Sequence, residues 1–444
     1  LEATLNYNRT FGDHGINILG GYSMQEKVYD NSSIGARNFV DDTIRELSAH
    51  GTAPGDSWGD TDKFDWAMMS VFGRVVYSWK DRYTFTGSLR GDGSSRFGKD
   101  NRWGMFPSVA LGWNISNEDF WTNHIGENFG AKLRVSWGIS GNNNIGNYEH
   151  VGYMSDLGGY VLGGQIVPTR YPSAFVDNLL GWEKTDQYNV GMDLSFLRNR
   201  ITLSANYYNS ISNDLLFNKP VSAIAGATQY KSNLSNAKIR NTGFDIQVDG
   251  RILTGVVNWN IGANLSLNRN KVLSLPDSQS IVSIGERSAI SHITMVGKPI
   301  GSFYGLNSLG VISEEEYQRI LVDKQHIGEE GYQLTGPAVW NYENVQPGDA
   351  KWKDVNNDGK ITDDDREILG DNYPDFTYGF STNISYKGLS LSASFSGVQG
   401  AQVISFQNYY LLNMEGTCNQ FALAADRYNA DSHRFSRKQK SHEQ

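Results

Sequence analysis

The most constraining feature of this chain is a period-two alternation of apolar and polar residues, sustained over long segments. In 71–79, Val71, Gly73, Val75, Tyr77 and Trp79 fall on one face, and Phe72, Arg74, Val76 and Ser78 on the other. Lys80-Asp81-Arg82 turns the chain, after which Tyr83, Phe85 and Leu89 alternate with Thr84, Thr86, Ser88 and Arg90. Successive side chains point to opposite faces only in a pleated strand, so each stretch predicts a strand with one apolar face. The pattern recurs in 190–208, turning at Arg198-Asn199-Arg200, and in 244–267, turning near Thr254-Gly255. It closes in 376–395, turning at Lys387-Gly388. About a dozen such strands are expected, many of about 9–11 residues or more, the length that crosses a bilayer at a tilt.

The composition of the two faces separates lipid from water. The polar face carries Asn, Ser, Thr and Gly rather than Lys and Glu, as a wet lumen does. Aromatic residues gather at strand ends (Tyr77, Trp79, Tyr83; Tyr207, Tyr208; Tyr386), where the girdle of a membrane barrel lies. A soluble sandwich also alternates, but with strands of about 5–6 residues. The expected fold class is therefore all-β, a transmembrane antiparallel β-barrel, and the competing reading is a secreted multi-sheet protein. Hydrophobic content is only 39%, which fits because only alternate residues of each strand need be apolar. The 48 Gly, 23 Tyr, 20 Phe and 11 Trp against 10 Pro suit strands, tight turns and girdles. A net charge of -9 argues against a nucleic-acid partner. The single cysteine, Cys418, excludes an internal disulfide framework and a multi-Cys metal site. The chain opens at Leu1 in strand-like sequence with no signal peptide, so it reads as a piece of a larger protein, and the missing signal is silent on compartment.

The connections are asymmetric. Some are a few residues long; others (27–65, 141–183, 209–235, 305–373) are long, as expected of short periplasmic turns and long extracellular loops. Residues 1–425 are assigned to barrel wall with loops, and 426–444, which lose all periodicity, to an irregular or disordered end. Within loop 305–373, Ser313-Glu314-Glu315-Glu316 forms a capping box ahead of Tyr317, Ile320 and Leu321 at helical spacing. The same loop contains a 12-residue calcium-like motif, 354–365. Oxygen ligands Asp354, Asn356 and Asp358 stand at positions 1, 3 and 5, Gly359 permits the sharp turn at 6, and Asp365 closes at 12. Lys360 would contribute its backbone carbonyl, and Thr362 an oxygen directly or through water. Asp365 is shorter than the usual closing Glu. The expected role is a structural calcium bracing a long loop; the alternative is an Asx-rich turn without metal.

Signals for catalysis are poor. The eight His are scattered, and no HExxH, GxSxG or Walker-type loop appears. Gly91-Asp92-Gly93-Ser94-Ser95-Arg96 superficially suggests a phosphate cradle but lacks the following Gly-Lys, so it reads as a strand-end loop. Asp363 and Asp364 lie beside the calcium-like loop, and a glycosidase needs only two carboxylates close in space. Trp340 and Tyr342 suit either stacking on a ligand or loop packing. The chain is expected not to be an enzyme.

An ordered series of blocks then carries a resemblance. These are Leu133-Arg134 through Trp137-Gly138, Gly141-Asn142 and Asn144-Ile145-Gly146; Trp182-Glu183 and Thr185, with Gly191 and Asp193; and Tyr207-Tyr208 with Asp214-Leu215-Leu216. Asn241 through Gly243 and Asp245, Gly301 through Phe303-Tyr304-Gly305, Pro347-Gly348-Asp349, Asp365-Arg366 through Leu369-Gly370, and Pro374-Asp375-Phe376-Thr377-Tyr378-Gly379 continue it. Together they resemble the SusC/RagA family of TonB-dependent outer-membrane transporters of Bacteroidetes. The resemblance implies a monomeric barrel of about 22 strands enclosing a plug. It implies import energised by the TonB complex, a SusD-like lipoprotein lid, oligosaccharide or peptide cargo, and residence in outer-membrane lipid. The plug domain, the TonB-contacting parts and the last strands of that pattern are absent from this sequence. Two other readings compete: a secreted, calcium-braced β-rich binding or adhesion protein, and a surface glycan hydrolase.

Overall fold

The computed structural model describes residues 1–426 apart from 42, 45, 52, 127, 153, 173–174, 223, 225–228, 277–279, 285–290, 328, 330 and 413–418. The irregular end expected at 426–444 therefore lies almost entirely outside the described residues. Twenty strands are named in chain order. The first eight are β1 (Glu2–Phe11), β2 (His14–Ala36), β3 (Ser57–Trp79), β4 (Tyr83–Ser94), β5 (Trp103–Asn114), β6 (Phe129–Asn142), β7 (Met154–Leu162) and β8 (Gln165–Pro172). They are followed by β9 (Glu183–Phe196), β10 (Ile201–Pro220), β11 (Gln229–Leu253) and β12 (Val257–Ser274). Next come β13 (Ile281–Ile284), β14 (Ser291–Thr294), β15 (Ser302–Gly305), β16 (Ser308–Val311), β17 (Ala350–Trp352) and β18 (Glu367–Gly370). The last are β19 (Phe376–Tyr386) and β20 (Leu389–Gln399), and the helices are α1 (Asp119–His124), α2 (Glu314–His326) and α3 (Phe406–Leu412).

Twelve strands form one up-and-down sheet in the order β1-β2-β3-β4-β5-β6-β9-β10-β11-β12-β19-β20. Its register aligns the alternation read from sequence. Ile16, Tyr77, Phe85, Leu111, Val135, Val190, Tyr207 and Phe244 are successive cross-strand partners, one apolar row across eight strands. The row one residue along is Asn17, Val76, Thr86, Ala110, Ser136, Asn189, Tyr208 and Gly243, which belongs to the opposite face. Phe85, Leu111, Val135, Val190, Tyr207 and Phe244 are all exposed. A contiguous apolar band of this size on one face has no place in water and suits hydrocarbon. At the short-turn end, rings stack into a girdle: Trp79 on Tyr83 at 5.6 Å, and Trp121 of α1 on Phe129 at 5.2 Å.

Three of the four long connections differ from expectation; the one expected at 305–373 begins earlier, after β12 ends at Ser274, and runs to Phe376 at the start of β19. Segments 27–65 and 209–235 are largely strand, because β2 pairs with β3 out to Ala36↔Ser57 and β10 with β11 out to Pro220↔Gln229. These extensions run beyond the length a bilayer requires; that of β2–β3 is largely exposed, whereas that of β10–β11 buries Leu234, Ala237 and Ile239 and packs Leu216 on other residues of its own unit, so neither keeps the alternation of the lipid-facing part. Segment 141–183 holds the β7–β8 hairpin, which turns through Gly163 and Gly164 at φ 59° and 82°, the left-handed backbone that a two-residue turn requires.

The chain divides into two compact units. The first is built mainly from the wall strands. The second comes mainly from the segment between β12 and β19, with a four-stranded sheet β13-β14-β15-β18, the pair β16-β17 and α2. Helix α2 begins at the expected capping box: Ser313 Oγ accepts the Glu316 N–H at 3.2 Å, and Glu316 Oε2 accepts the Ser313 N–H at 3.0 Å. Beneath it Ile312, Ile320 and Val339 are buried, with Tyr317, Tyr342 and Val345 packed around them.

Candidate lumen face and calcium-like loop

The inward face of the wall is laced with hydrogen bonds. Arg134 of β6 forks onto Asp193 of β9, with Nε and Nη2 donating to the two carboxylate oxygens at 2.7 and 2.8 Å. The same guanidinium donates to Asn206 Oδ1 of β10 at 3.0 Å, and Ser204 donates to Asp193 at 2.8 Å. Arg90 links Asp92 and Ser70 at 2.7 and 2.8 Å; the Thr185 and Ser212 hydroxyls are hydrogen-bonded at 2.7 Å; Tyr208 donates to Asn268 at 3.0 Å. Pre-oriented polar groups of this kind satisfy one another while leaving further donors and acceptors for a solute or a packed segment. At the end of the wall away from the short turns, Phe97, Phe106, Ile145, Leu180 and Trp182 form a buried cluster. Beside it opens a cleft of about 460 Å³ lined by Asp100, Trp103, Asp177, Lys184, Asp214 and Lys219, among others.

The glycine-rich stretch 91–96 is the end of β4 and the turn after it, as read from sequence. Arg96 is committed to Asn143 O and Asn147 Oδ1 at 3.1 and 3.0 Å and lies over the Trp66 ring. In the second unit Tyr342 is a packing residue. Its hydroxyl donates to Gly359 O at 2.9 Å, and its phenol is pushed up to about 12 by burial, with Asp323 and Asp354 adding to the shift. Trp340 is exposed.

The calcium-like loop winds tightly through two left-handed residues, Asn357 at φ 58° and Gly359 at φ 80°. Asp354 Oδ2 accepts the Gly359 N–H at 2.9 Å, whereas Asp354 Oδ1 is buried and has no partner. Asn356 Oδ1 accepts the Asp358 N–H at 2.9 Å, and Asp358 Oδ1 accepts the Lys360 N–H at 2.8 Å. Asp365 is fully buried, and both its oxygens accept backbone N–H groups, from Val355 at 2.9 Å and Thr362 at 2.7 Å. The Thr362 amide is the main reason its carboxyl stays below the usual range; burial opposes this and the Val355 amide assists. Lys360 joins Val339 in a parallel bridge, and Thr362 Oγ1 caps the turn that follows by accepting the Asp364 N–H. Among the described residues no group of three or more His, Cys, Asp or Glu side chains is gathered for a metal. The loop thus brings Asp354 and Asp365 to one stretch of backbone, with one oxygen of Asp354 left over.

Sequence reasoning missed Asp323. It sits on α2, fully buried, and accepts from Tyr332 Oη, Thr335 N, Thr335 Oγ1 and Gly336 N at 2.7–2.9 Å. Burial would raise its pKa, but these donors outweigh burial and hold it below the usual carboxylate value. The available signal was an acid three residues after Ile320, on the helix face that turns inward.

A sheet with a lipid band outside and a hydrogen-bonding face inside defines the wall of an outer-membrane β-barrel. A family profile described as TonB dependent receptor-like, beta-barrel, matches residues 1–302. TonB-dependent receptor P3 of Formosa agariphila is 32% identical over 97% of this chain, and TonB-dependent receptor SusC of Bacteroides thetaiotaomicron is 32% identical over 74% of it. The chain spans 41% and 30% of those relatives. A solved structure of the RagAB peptide transporter superposes with a TM-score of 0.76 at 25% identity, covering 97% of this chain and 44% of that one. This chain belongs to the TonB-dependent receptor β-barrel family, among its SusC/RagA-type members, and is a protein of the outer membrane.

Proposed function

We propose that the full-length protein is a TonB-dependent importer that takes oligosaccharides or peptides across the outer membrane together with a SusD-like surface lipoprotein, passing its cargo on chemically unchanged. The observation that carries this reading is the two-faced wall, apolar toward lipid and hydrogen-bonding toward the lumen, in a chain of this family. Peptide cargo draws support from the RagAB peptide transporter as a structural neighbour. The cleft, lined by Asp100, Asp177 and Asp214 as well as Lys184 and Lys219, offers charges of both signs to a zwitterionic peptide, and its Trp103 indole offers a stacking face to a sugar. Uptake of labelled peptides and oligosaccharides by cells expressing the full-length protein is the test. Accumulation that stops when the gene is deleted, or when the inner-membrane proton gradient is collapsed, is the expected result. Equal accumulation with and without the gene would overturn the reading.

Loop 354–365 is further proposed to hold a structural Ca²⁺ through Asp354, Asn356, Asp358, the Lys360 carbonyl, Thr362 and Asp365. Support comes from the all-oxygen donor set, which suits a hard cation, and from the buried, unpartnered Asp354 Oδ1. Asp365 would have to exchange amide hydrogen bonds for the ion. Asp354→Ala with Asp358→Ala is expected to remove about one equivalent of calcium from the purified full-length protein, as measured by elemental analysis. Unchanged calcium content in the double variant would sink the proposal.

A further inference from the structure

The short turns of the wall divide into two kinds. In those between β1 and β6 both Lys80 and Arg82 have acid partners: Lys80 reaches Asp13 at 3.9 Å, and Arg82 is bonded to Glu118 and Asp119 at 3.1 and 2.5 Å. The three short turns of the β9–β20 stretch, successive in the sheet order, carry no acid at all. The β9–β10 turn is Leu197-Arg198-Asn199-Arg200, 251–256 around the β11–β12 turn read Arg-Ile-Leu-Thr-Gly-Val, and the β19–β20 turn is Lys387-Gly388.

Each of these turns pairs an exposed cation with an exposed apolar side chain. Leu197 is 57% exposed beside Arg198, Val256 is 72% exposed across the turn from Arg251, and Leu389 is 76% exposed next to Lys387. Among the described residues none of Arg198, Arg200, Arg251 and Lys387 pairs with a carboxylate. Arg200 is instead spent on the backbone, donating to Arg251 O at 3.2 Å and Ile252 O at 2.7 Å, which ties the β9–β10 turn to the β11–β12 turn. Lys387 lies over the Tyr386 ring, 5.2 Å from its centroid. Leu197, Arg198 and Asn199 all hold left-handed backbone, at φ 53°, 53° and 62°, conformations that a leucine and an arginine adopt only when the surroundings impose them.

Water solvates an unpaired cation well but leaves an exposed leucine beside it at a cost. A membrane interface satisfies both, since the aliphatic group enters the acyl boundary while the cation stays at phosphate level. We infer that the short-turn rim of β9–β20 is a binding strip for anionic glycerophospholipid head groups in the leaflet that these turns face. The apolar side chains set its depth, and Arg198, Arg251 and Lys387 neutralise the phosphates. Charge complementarity selects the lipid: four cations and no acid in an otherwise acidic chain of net charge -9. The inference depends on which end of the barrel the turns occupy and is independent of the cargo.

The test uses the full-length protein in nanodiscs containing equal amounts of phosphatidylglycerol and phosphatidylcholine, followed by partial delipidation and native mass spectrometry. Wild-type protein is expected to retain phosphatidylglycerol preferentially and to lose that preference in high salt. The triple variant Arg198→Gln, Arg251→Gln, Lys387→Gln is expected to lower the preference by about tenfold or more. Arg200 stays, because its bonds are structural. The triple Arg198→Lys, Arg251→Lys, Lys387→Arg is expected to keep the preference, as is Lys80→Gln in the turns whose cations are paired with acids. Equal retention of the two lipids by wild type overturns the inference, including the case where the strip serves a periplasmic protein. So does an undiminished preference in a neutral triple that still migrates as a folded barrel. Should the neutral triple not fold, wild-type selectivity and its salt dependence decide alone.

Discussion

Val190→Arg is expected to cost the folded barrel about 2–4 kcal/mol in lipid, whereas Gln187→Arg, three residues earlier on the same strand, is expected to cost under about 1 kcal/mol. Val190 sits between Val135 and Tyr207 in the apolar row, exposed, several residues from the ring girdle at Phe129 and Phe196. An arginine there must carry its guanidinium through hydrocarbon or distort the bilayer to reach water. Gln187 pairs with Gly138 and Ser210 on the opposite face, where water and polar partners are at hand. Denaturant titration of the full-length protein in lipid, followed by heat-modifiable migration, measures both. Equal penalties would mean that the two faces do not see different solvents.

The second large effect belongs to Asp323→Ala. The substitution strands the Thr335 and Gly336 N–H groups and the Tyr332 hydroxyl, and the expected local destabilisation is about 3 kcal/mol or more. Hydrogen exchange should then accelerate through α2 and 332–336 while the wall amides keep their protection. Acceleration spread evenly over the wall would contradict a local role. The carboxyl is held below its usual pKa, so its charged form is the one that folding favours. Its contribution is therefore fully present above the ordinary carboxylate range, about pH 4, and is lost only as pH falls through the lowered native value. Protection of α2 that declines between pH 7 and 5 would not fit.

Much of the wall was legible in the sequence because lipid enforces a simple rule. On β4, β9 and β10 alternate side chains must suit lipid for the length of the crossing, so the alternation in sequence places each residue on the face the register gives it. Turns at Lys80-Asp81, Arg198-Asn199 and Lys387-Gly388 were legible because polar residues interrupt that rhythm. The outer halves of β2, β3, β10 and β11 were not, since Ser57–Asp65 is largely exposed, with isolated ring contacts such as Phe64 on Tyr29, and β11 buries Leu234, Ala237 and Ile239 at irregular spacing, so no period-two apolar rhythm marks either pair. The capping box at Ser313 announced α2. The calcium-like spacing announced a tight loop, and that loop exists, but its carboxylates are engaged with backbone amides, an arrangement that spacing alone does not distinguish from a metal cage. Asp323 escaped notice because its four donors come from 332–336, and no pattern within α2 records them.

Spin labels placed singly along 132–139 of the full-length protein in lipid, in a cysteine-free background, test the two-faced wall most directly. Collision with dissolved oxygen should rise at Leu133, Val135 and Trp137 and fall at Arg134, Ser136 and Gly138, with a water-soluble relaxer failing to reach the first set. A flat profile, or one shifted by a single residue, would contradict the account.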